Sequence, residues 1–257
     1  MTDDAAPPAA DPWSPLRSLT SARIGLGRSG AALPTGPMLA LRLAHARARD
    51  AVHDALDADA LAAAAAGLAP AVLAVGSAAP DRRAYLLRPD LGRRLGPEGA
   101  AALARHRGAY DLAPVIADGL SARAVQHHAL PVLAAVLGTL SAQGWSVAPL
   151  VLVRQGRVAI GDAVAGALGA ASVLVLIGER PGLSAADSMG AYLTWRPGPA
   201  TTDAERNCVS NIRPEGLPYA TAAAQIVSLL AQMRAGGFSG VRLKAEAPAG
   251  PPLPGPA

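Results

Sequence analysis

The sequence predicts an α/β fold: a Rossmann-like, mostly parallel sheet preceded by an N-terminal helical region. From Tyr110 onward, short apolar runs alternate with amphipathic helices, which is the rhythm of βαβ units with right-handed crossovers. The first three runs are almost continuously apolar, as strands buried on both faces should be. The predicted strands are residues 112–117, 146–153, 172–177 and 191–195, and the predicted helices are residues 121–143, 162–169 and 220–236.

The preceding region, residues 37–108, is dominated by segments of helical length. Residues 97–107 read as a short helix, because Pro97 suits the first helical position and Glu98 the first turn. Residues 60–75 read as a helix, a turn and a further apolar segment. Spacings of three and four mark one apolar helix face, formed by Met38, Leu41, Ala44, Ala48 and Val52.

These patterns divide the chain into four parts. Residues 1–15 are polar and proline-bearing, and residues 245–257 are rich in glycine and proline, so we expect both to be disordered tails. Between them we expect a mainly helical region, residues 16–108, and a Rossmann-like domain, residues 109–244.

Composition argues against several classes of protein. A single cysteine, Cys208, excludes an intramolecular disulfide and fits a reducing cytoplasm. Residues 1–15 lack the basic and apolar stretches of a signal peptide. Every apolar run is interrupted before the ~20 residues that a membrane helix needs. We therefore expect a cytoplasmic protein.

The formal charge of +4 does not indicate nucleic-acid binding. The basic residues are arginines apart from Lys244, they are interspersed with acids, and no RNA-binding aromatic motif or zinc-finger spacing accompanies them. The five histidines include no His-x-x-x-His pair, so we predict no metal site. No P-loop, nucleophile elbow or Ser/His/Asp order is present, and we assign no catalytic residue to this chain.

Residues 25–30, GLGRSG, match the G-x-G-x-x-G fingerprint of dinucleotide-binding folds. That fingerprint must follow a strand and open a helix. Here no buried strand precedes the segment, and Pro34 and Pro37 interrupt the chain soon after it. We interpret it as a flexible glycine loop.

Ligands of parallel sheets bind beyond the carboxyl ends of the strands, here residues 118–121, 154–161 and 178–180. In the first of these, Ser121 can cap the following helix and Gly119 can turn the chain. The alternative is that residues 118–121 form a hydrogen-bonding edge of the ligand crevice.

Glu179 and Cys208 each have two interpretations. Glu179 directly follows an apolar strand, so its carboxylate needs either a local partner, such as Arg180 or a backbone amide, or a ligand. A lone cysteine is commonly an inert buried side chain. Cys208 has polar neighbours in what reads as a loop, which fits that interpretation poorly.

Several short sequence motifs together resemble those of the small (light) subunit of adenosylcobalamin-dependent ethanolamine ammonia-lyase. The resemblance extends from residue 19 to about Lys244. The motifs that carry the resemblance are LTSARIG at residues 19–25, ADGLS at 117–121, GERPG at 178–182 and NCVSNI at 207–212.

The resemblance implies radical conversion of ethanolamine to acetaldehyde and ammonia, with adenosylcobalamin between this chain and a large catalytic subunit. Carried over by motif, Val158, Glu179 and Cys208 would contact the cofactor, Val158 through its backbone and apolar surface. The N-terminal region would contact the partner. No Asp-x-His-x-x-Gly word is present to replace the cofactor's own dimethylbenzimidazole on cobalt. The location would be the cytoplasm, with a bacterial microcompartment as an alternative.

Two other functions remain open on sequence. A stand-alone Rossmann-like enzyme that binds a nucleotide or S-adenosylmethionine would need a glycine-rich first βα turn and an acid ending the second strand. The chain offers only Asp118-Gly119 and the basic residues 154–157 there. A structural adaptor within a metabolic compartment is the third possibility, favoured only by the N-terminal tail.

Overall fold

The computed structural model describes residues 11–243, so residues 1–10 of the predicted N-terminal tail and the whole predicted C-terminal tail, residues 245–257, lie outside the described residues. Residues 11–13 lead into a short helix, which includes residues 14 and 15 of the predicted N-terminal tail. The helices are α1 (Ser14–Arg17), α2 (Thr35–His53), α3 (Ala58–Ala64), α4 (Arg82–Leu87), α5 (Pro97–Ala104), α6 (Ala122–Ala142), α7 (Ile160–Leu168) and α8 (Tyr219–Gly236). The strands are β1 (Val72–Gly76), β2 (Tyr110–Ala117), β3 (Leu150–Arg154), β4 (Ala170–Gly178), β5 (Met189–Trp195) and β6 (Arg206–Ile212).

The strands form one six-stranded sheet in the order β1-β3-β2-β4-β5-β6. The first four strands are parallel, and β5 and β6 run antiparallel to their neighbours. The predicted α/β class is confirmed, and the sheet is mixed. The two antiparallel pairings arise because β4, β5 and β6 are joined by loops without a crossover helix.

Two strands differ from the sequence interpretation. The apolar segment after the turn at Gly67 is strand β1, which pairs with β3 and so extends the sheet into the N-terminal region. The segment around Cys208 is strand β6 and not a loop, so that part of the interpretation was wrong. Both strands lie at sheet edges, where one row of backbone groups is unpaired and the sequence pattern is weaker.

The sheet has two unlike faces. On one, the covered face, α3, α6 and α8 together pack across all six strands and bury the larger apolar cluster. On the other, the open face, α5 and α7 pack on the parallel strands through a valine-rich cluster. Tyr192 of β5 and Cys208 of β6 lie on the open face beyond α7, half-buried and exposed respectively.

The carboxyl ends of β2, β3 and β4 meet at one edge, as predicted. The Asp118 carboxylate accepts hydrogen bonds from the amides of Gln155 (2.8 Å) and Gly156 (2.9 Å), which joins the ends of β2 and β3. Leu120 N–H donates to the Gly178 carbonyl at 3.0 Å, which joins the ends of β2 and β4.

This crossing of two backbones is a close approach. A side chain at Gly119 would overlap the Gly178 carbonyl, and a side chain at Gly178 would overlap the Ser121 carbonyl. Gly119 also has a φ of +56°, in the left-handed region that favours glycine. The two glycines therefore set how closely the loop after β2 packs on β4.

The helix α6 is the one described helix that is long and apolar enough to cross a membrane by length and composition. Half of its apolar window is buried inside the fold. Its apolar side chains, including Val132, Val136 and Leu140, pack in the cluster of the covered face. The length and apolar composition of α6 are therefore explained by its role as a core helix.

Candidate functional site

The three residues predicted to contact a ligand border one surface. Two adjoining open grooves, of about 440 and 200 Å³, lie along the open face and the carboxyl edge of the sheet. Cys208 lines the first groove, Glu179 lines the second, and Val158 lines both. The fold thus brings together residues that are up to 50 positions apart in the chain.

Glu179 is oriented by contacts with β5 and β6. Its Oε1 accepts a hydrogen bond from the Asn211 amide at 3.1 Å. A Cβ on Gly190 would lie 3.0 Å from that oxygen, so the glycine makes room for the carboxylate beside the strand. Arg180, the other local partner considered, is exposed and makes no ion pair within residues 11–243. Of the two local partners considered for Glu179, the geometry therefore supports a backbone amide and not Arg180.

Cys208 lies directly opposite Tyr192 in the β5–β6 pairing. The residue is exposed, yet burial of the sulfur raises the pKa of the thiol, and a hydrogen bond with Tyr192 partly offsets this rise. Burial also raises the pKa of the Tyr192 phenol. Both groups are therefore neutral at pH 7, and they present a protonated, moderately polar surface to the groove.

Val158 precedes helix α7 in a turn. Within residues 11–243, neither its amide nor that of Ala159 donates to a protein acceptor. Both residues line the groove. These N–H groups are free to donate to an acceptor on a ligand, and the cofactor contact through the Val158 backbone stays a prediction.

Helix α7 is fixed to the antiparallel strands by a buried ion pair. Arg206 of β6 donates to both carboxylate oxygens of Asp162, each at 2.7 Å, and to the Thr194 hydroxyl at 3.2 Å. Its Nε also donates to Asp203 at 3.2 Å. Because a bidentate guanidinium–carboxylate pair fixes geometry as well as distance, it sets the spacing between Val158 and Cys208.

Within residues 118–121, the side chains of Asp118 and Ser121 serve the fold, whereas Gly119 and Leu120 line the smaller groove. Both Asp118 oxygens accept backbone amides, and burial raises the pKa of this carboxyl. Ser121 caps α6, as the capping interpretation predicts, by accepting a 3.4 Å hydrogen bond from Ala124. An acid engaged in this way is not free to bind a ribose, which weakens the nucleotide-binding alternative.

Sequence reasoning missed Tyr192 and Arg157, which line both grooves together with Val158. The signal for Tyr192 was present: it is a polar-tipped aromatic at an alternating position of a predicted strand. Arg157 carried no signal, because its role depends on stacking against Tyr85, far away in sequence.

Other features of the chain do not compete for the assignment. Residues 11–243 contain no group of three or more His, Cys, Asp or Glu side chains able to hold a metal ion. Residues 25–30 form an irregular loop with positive φ at both ends, as predicted, and not a strand-to-helix turn. A larger groove, of about 990 Å³, lies between residues 18–23, α2 and residues 182–187. None of the three predicted contact residues lines it.

The sequence matches the family model described as ethanolamine ammonia-lyase light chain (EutC) over residues 10–244. The chain belongs to the ethanolamine ammonia-lyase light-chain family. It is 53% identical over 248 residues to the ethanolamine ammonia-lyase small subunit of Azotobacter vinelandii, covering 95% of this chain and 92% of that protein. The corresponding Ralstonia nicotianae protein is 52% identical over 249 residues, with the same coverage.

The Pseudomonas syringae pv. tomato small subunit is 51% identical over 251 residues, which covers 96% of this chain and 87% of that protein. These similarities confirm the predicted light-chain resemblance over nearly the whole chain. Membership of the light-chain family places the chain among the subunits of a lyase.

Proposed function

We propose that this chain is the small subunit of an ethanolamine ammonia-lyase and binds adenosylcobalamin at an interface with the large subunit. The supporting observation is that Val158, Glu179 and Cys208 border the same pair of grooves. The grooves are open, so they would cover one side of a large ligand and leave the other side for a second subunit.

The side chains present fit such a ligand. Cobalamin carries a ring of peripheral amides, which donate and accept hydrogen bonds. Glu179 offers an acceptor, the Val158 and Ala159 amides offer donors, and Tyr192 with Cys208 offers a neutral surface. Adenosylcobalamin, when bound, supplies the radical chemistry, and the protein supplies binding and orientation.

The chain's own role in this proposal is to hold the cofactor and not to handle substrate. The carboxyl groups of Asp118 and Asp162 are already engaged, the first by backbone amides and the second by Arg206. We therefore infer that the chain has no lyase activity alone. We also infer a cytoplasmic location, with a bacterial microcompartment as the alternative.

The test is reconstitution. The full chain, co-expressed with the large subunit from the same genome, should form a complex that converts ethanolamine to acetaldehyde only when adenosylcobalamin is added. Either subunit alone should be inactive. Turnover by this chain without the large subunit, or cofactor-independent turnover by the complex, would contradict the proposal.

A further inference from the structure

Arg157 is a cation at the centre of the candidate site, and the described residues give it no carboxylate partner. Two nearby arginines are neutralised: Arg206 lies 2.7 Å from Asp162, and Arg93 lies 3.3 Å from Asp203. Arg180, which lines the smaller groove with Arg157, is exposed. Within residues 11–243, no carboxylate oxygen lies within 4.0 Å of an Arg157 nitrogen. Arg157 is also only partly exposed, so solvent screens its charge less than that of a surface arginine.

The Arg157 guanidinium is held in place. It lies over the ring of Tyr85, with 4.3 Å between its central carbon and the ring centroid, and it donates to the Tyr85 carbonyl at 3.3 Å. The Tyr85 hydroxyl in turn donates to the Gly156 carbonyl at 3.0 Å. A guanidinium stacked on an aromatic ring is pre-organised, so little side-chain entropy remains to be lost on binding.

Only one of the five N–H donors of this guanidinium has an acceptor among the described residues, the Tyr85 carbonyl. The Nε of Arg157 is buried and has no hydrogen-bond partner in the described structure. A buried donor without an acceptor costs free energy. The remaining N–H groups on the two terminal nitrogens of the guanidinium are left for a ligand oxygen. The side chain lines both grooves, and the unpaired amides of Val158 and Ala159 come directly after it in the chain.

We propose that Arg157 binds the phosphodiester of the cobalamin nucleotide tail; this assignment rests on the proposed function. The peripheral groups of the corrin are neutral amides, whereas the phosphodiester carries a negative charge. Guanidinium groups bind phosphate oxygens through charge-assisted, paired hydrogen bonds. Arg157 thereby sets where the tail lies relative to the Glu179 side of the ring.

The experiment compares two ligands that differ in the tail. Cyanocobalamin contains the phosphodiester, and dicyanocobinamide lacks the nucleotide and its phosphate. Affinities for the complex of the full chain with the large subunit are measured by titration calorimetry. For Arg157→Met we expect cyanocobalamin affinity to fall about 10- to 100-fold, the range of one charge-assisted hydrogen-bond pair, with cobinamide affinity nearly unchanged. Arg157→Lys should retain part of the difference.

Arg105→Met is the control, because Arg105 is an exposed arginine that lines neither groove. It should change neither affinity by more than about threefold, as expected for a solvent-screened charge. In the wild-type complex, inorganic phosphate should compete with cyanocobalamin and not with cobinamide, which tests the assignment without any substitution.

Three outcomes would overturn the assignment. An equal loss of both affinities in Arg157→Met means that the residue supports the fold through Tyr85. Unchanged affinities, together with no competition by phosphate, mean that the phosphodiester binds elsewhere. Failure of the wild-type complex to bind either corrinoid overturns the proposed function itself, and is distinguished from the other two because it precedes any substitution.

Discussion

The two faces of the sheet show how one strand can serve two purposes. Strand β5 presents Leu193 to the covered face, where it is fully buried under helices, and Tyr192 to the open face, where it lines a groove. On the covered face, neighbouring side chains are apolar and in close contact. On the open face beyond α7, they are a phenol, a thiol and a bidentate ion pair.

The difference indicates how stability and binding are divided. Apolar burial contributes most of the folding free energy, at roughly 25 cal/mol per Å², and most of the larger cluster lies on the covered face. Residues of the open face beyond α7 contribute less to folding, so they are available to meet a ligand. Substitutions should therefore affect unfolding on one face and cofactor affinity on the other.

The largest expected effect on stability is on the covered face. Leu174 is fully buried at the centre of β4, and Leu174→Ala removes packed atoms and leaves a cavity. We expect a loss of about 2–5 kcal/mol in the free energy of unfolding, measured by chemical denaturation. Leu183→Ala, at a leucine that is 44% exposed, should change stability by less than about 0.5 kcal/mol. Similar losses for the two variants would break the proposed division.

Substitution of Glu179 is expected to have an effect of intermediate size, and the effect is on cofactor affinity. Glu179→Ala should weaken adenosylcobalamin binding by the complex about 10- to 100-fold, since a charge-assisted hydrogen bond is worth roughly 1.5–3 kcal/mol. Glu179→Gln retains an acceptor oxygen and should lose less. The ethanolamine KM should change little, because the substrate belongs to the large subunit in the proposal.

The control for Glu179 is Glu215→Gln, at an exposed carboxylate paired with Arg213 at 3.6 Å, which should leave affinity unchanged. Thermal unfolding is measured on the same variants. If Glu179 serves only to accept the Asn211 amide, Glu179→Ala will lower the melting temperature and leave cofactor affinity intact, which would remove it from the site.

The smallest expected effect on stability is at Cys208. Because the side chain is exposed on an edge strand, Cys208→Ala should change the free energy of unfolding by less than about 0.5 kcal/mol. Its thiol pKa is raised by burial of the sulfur, so alkylation by iodoacetamide at pH 7 should be slower than that of free cysteine. Adenosylcobalamin should slow it further in the complex. Rapid labelling that the cofactor does not affect would place Cys208 outside the site.

The elements with strong periodicity could be predicted from sequence. The apolar runs that became β2 and β4, and the long helices α6 and α8, lie where the pattern indicates, because burial on both faces or along one helix side leaves a clear signature. Strand β6 could not be recognised, because Asn207 and Ser210 make an edge strand read as a polar loop. Strand β1 is only five residues long and comes after an alanine-rich helix.

The candidate site was predictable in part. Val158, Glu179 and Cys208 were identified from the resemblance of their motifs. The three residues border the same grooves because of the register between strands, which the sequence does not show. The unpaired state of Arg157 within the described residues was not predictable either. It depends on which carboxylates lie nearby in space, whereas sequence displays only neighbours along the chain.

The crossing of Gly119 and Gly178 has a consequence for how this chain can vary during evolution. At most buried positions, a larger side chain can be accommodated when a neighbouring side chain becomes smaller. At this crossing the obstacles are carbonyl groups of the main chain, which no second substitution can shrink. A substitution at either glycine therefore cannot be compensated by a second substitution nearby. Glu179, which directly follows Gly178, keeps its position relative to the sheet while neighbouring residues change.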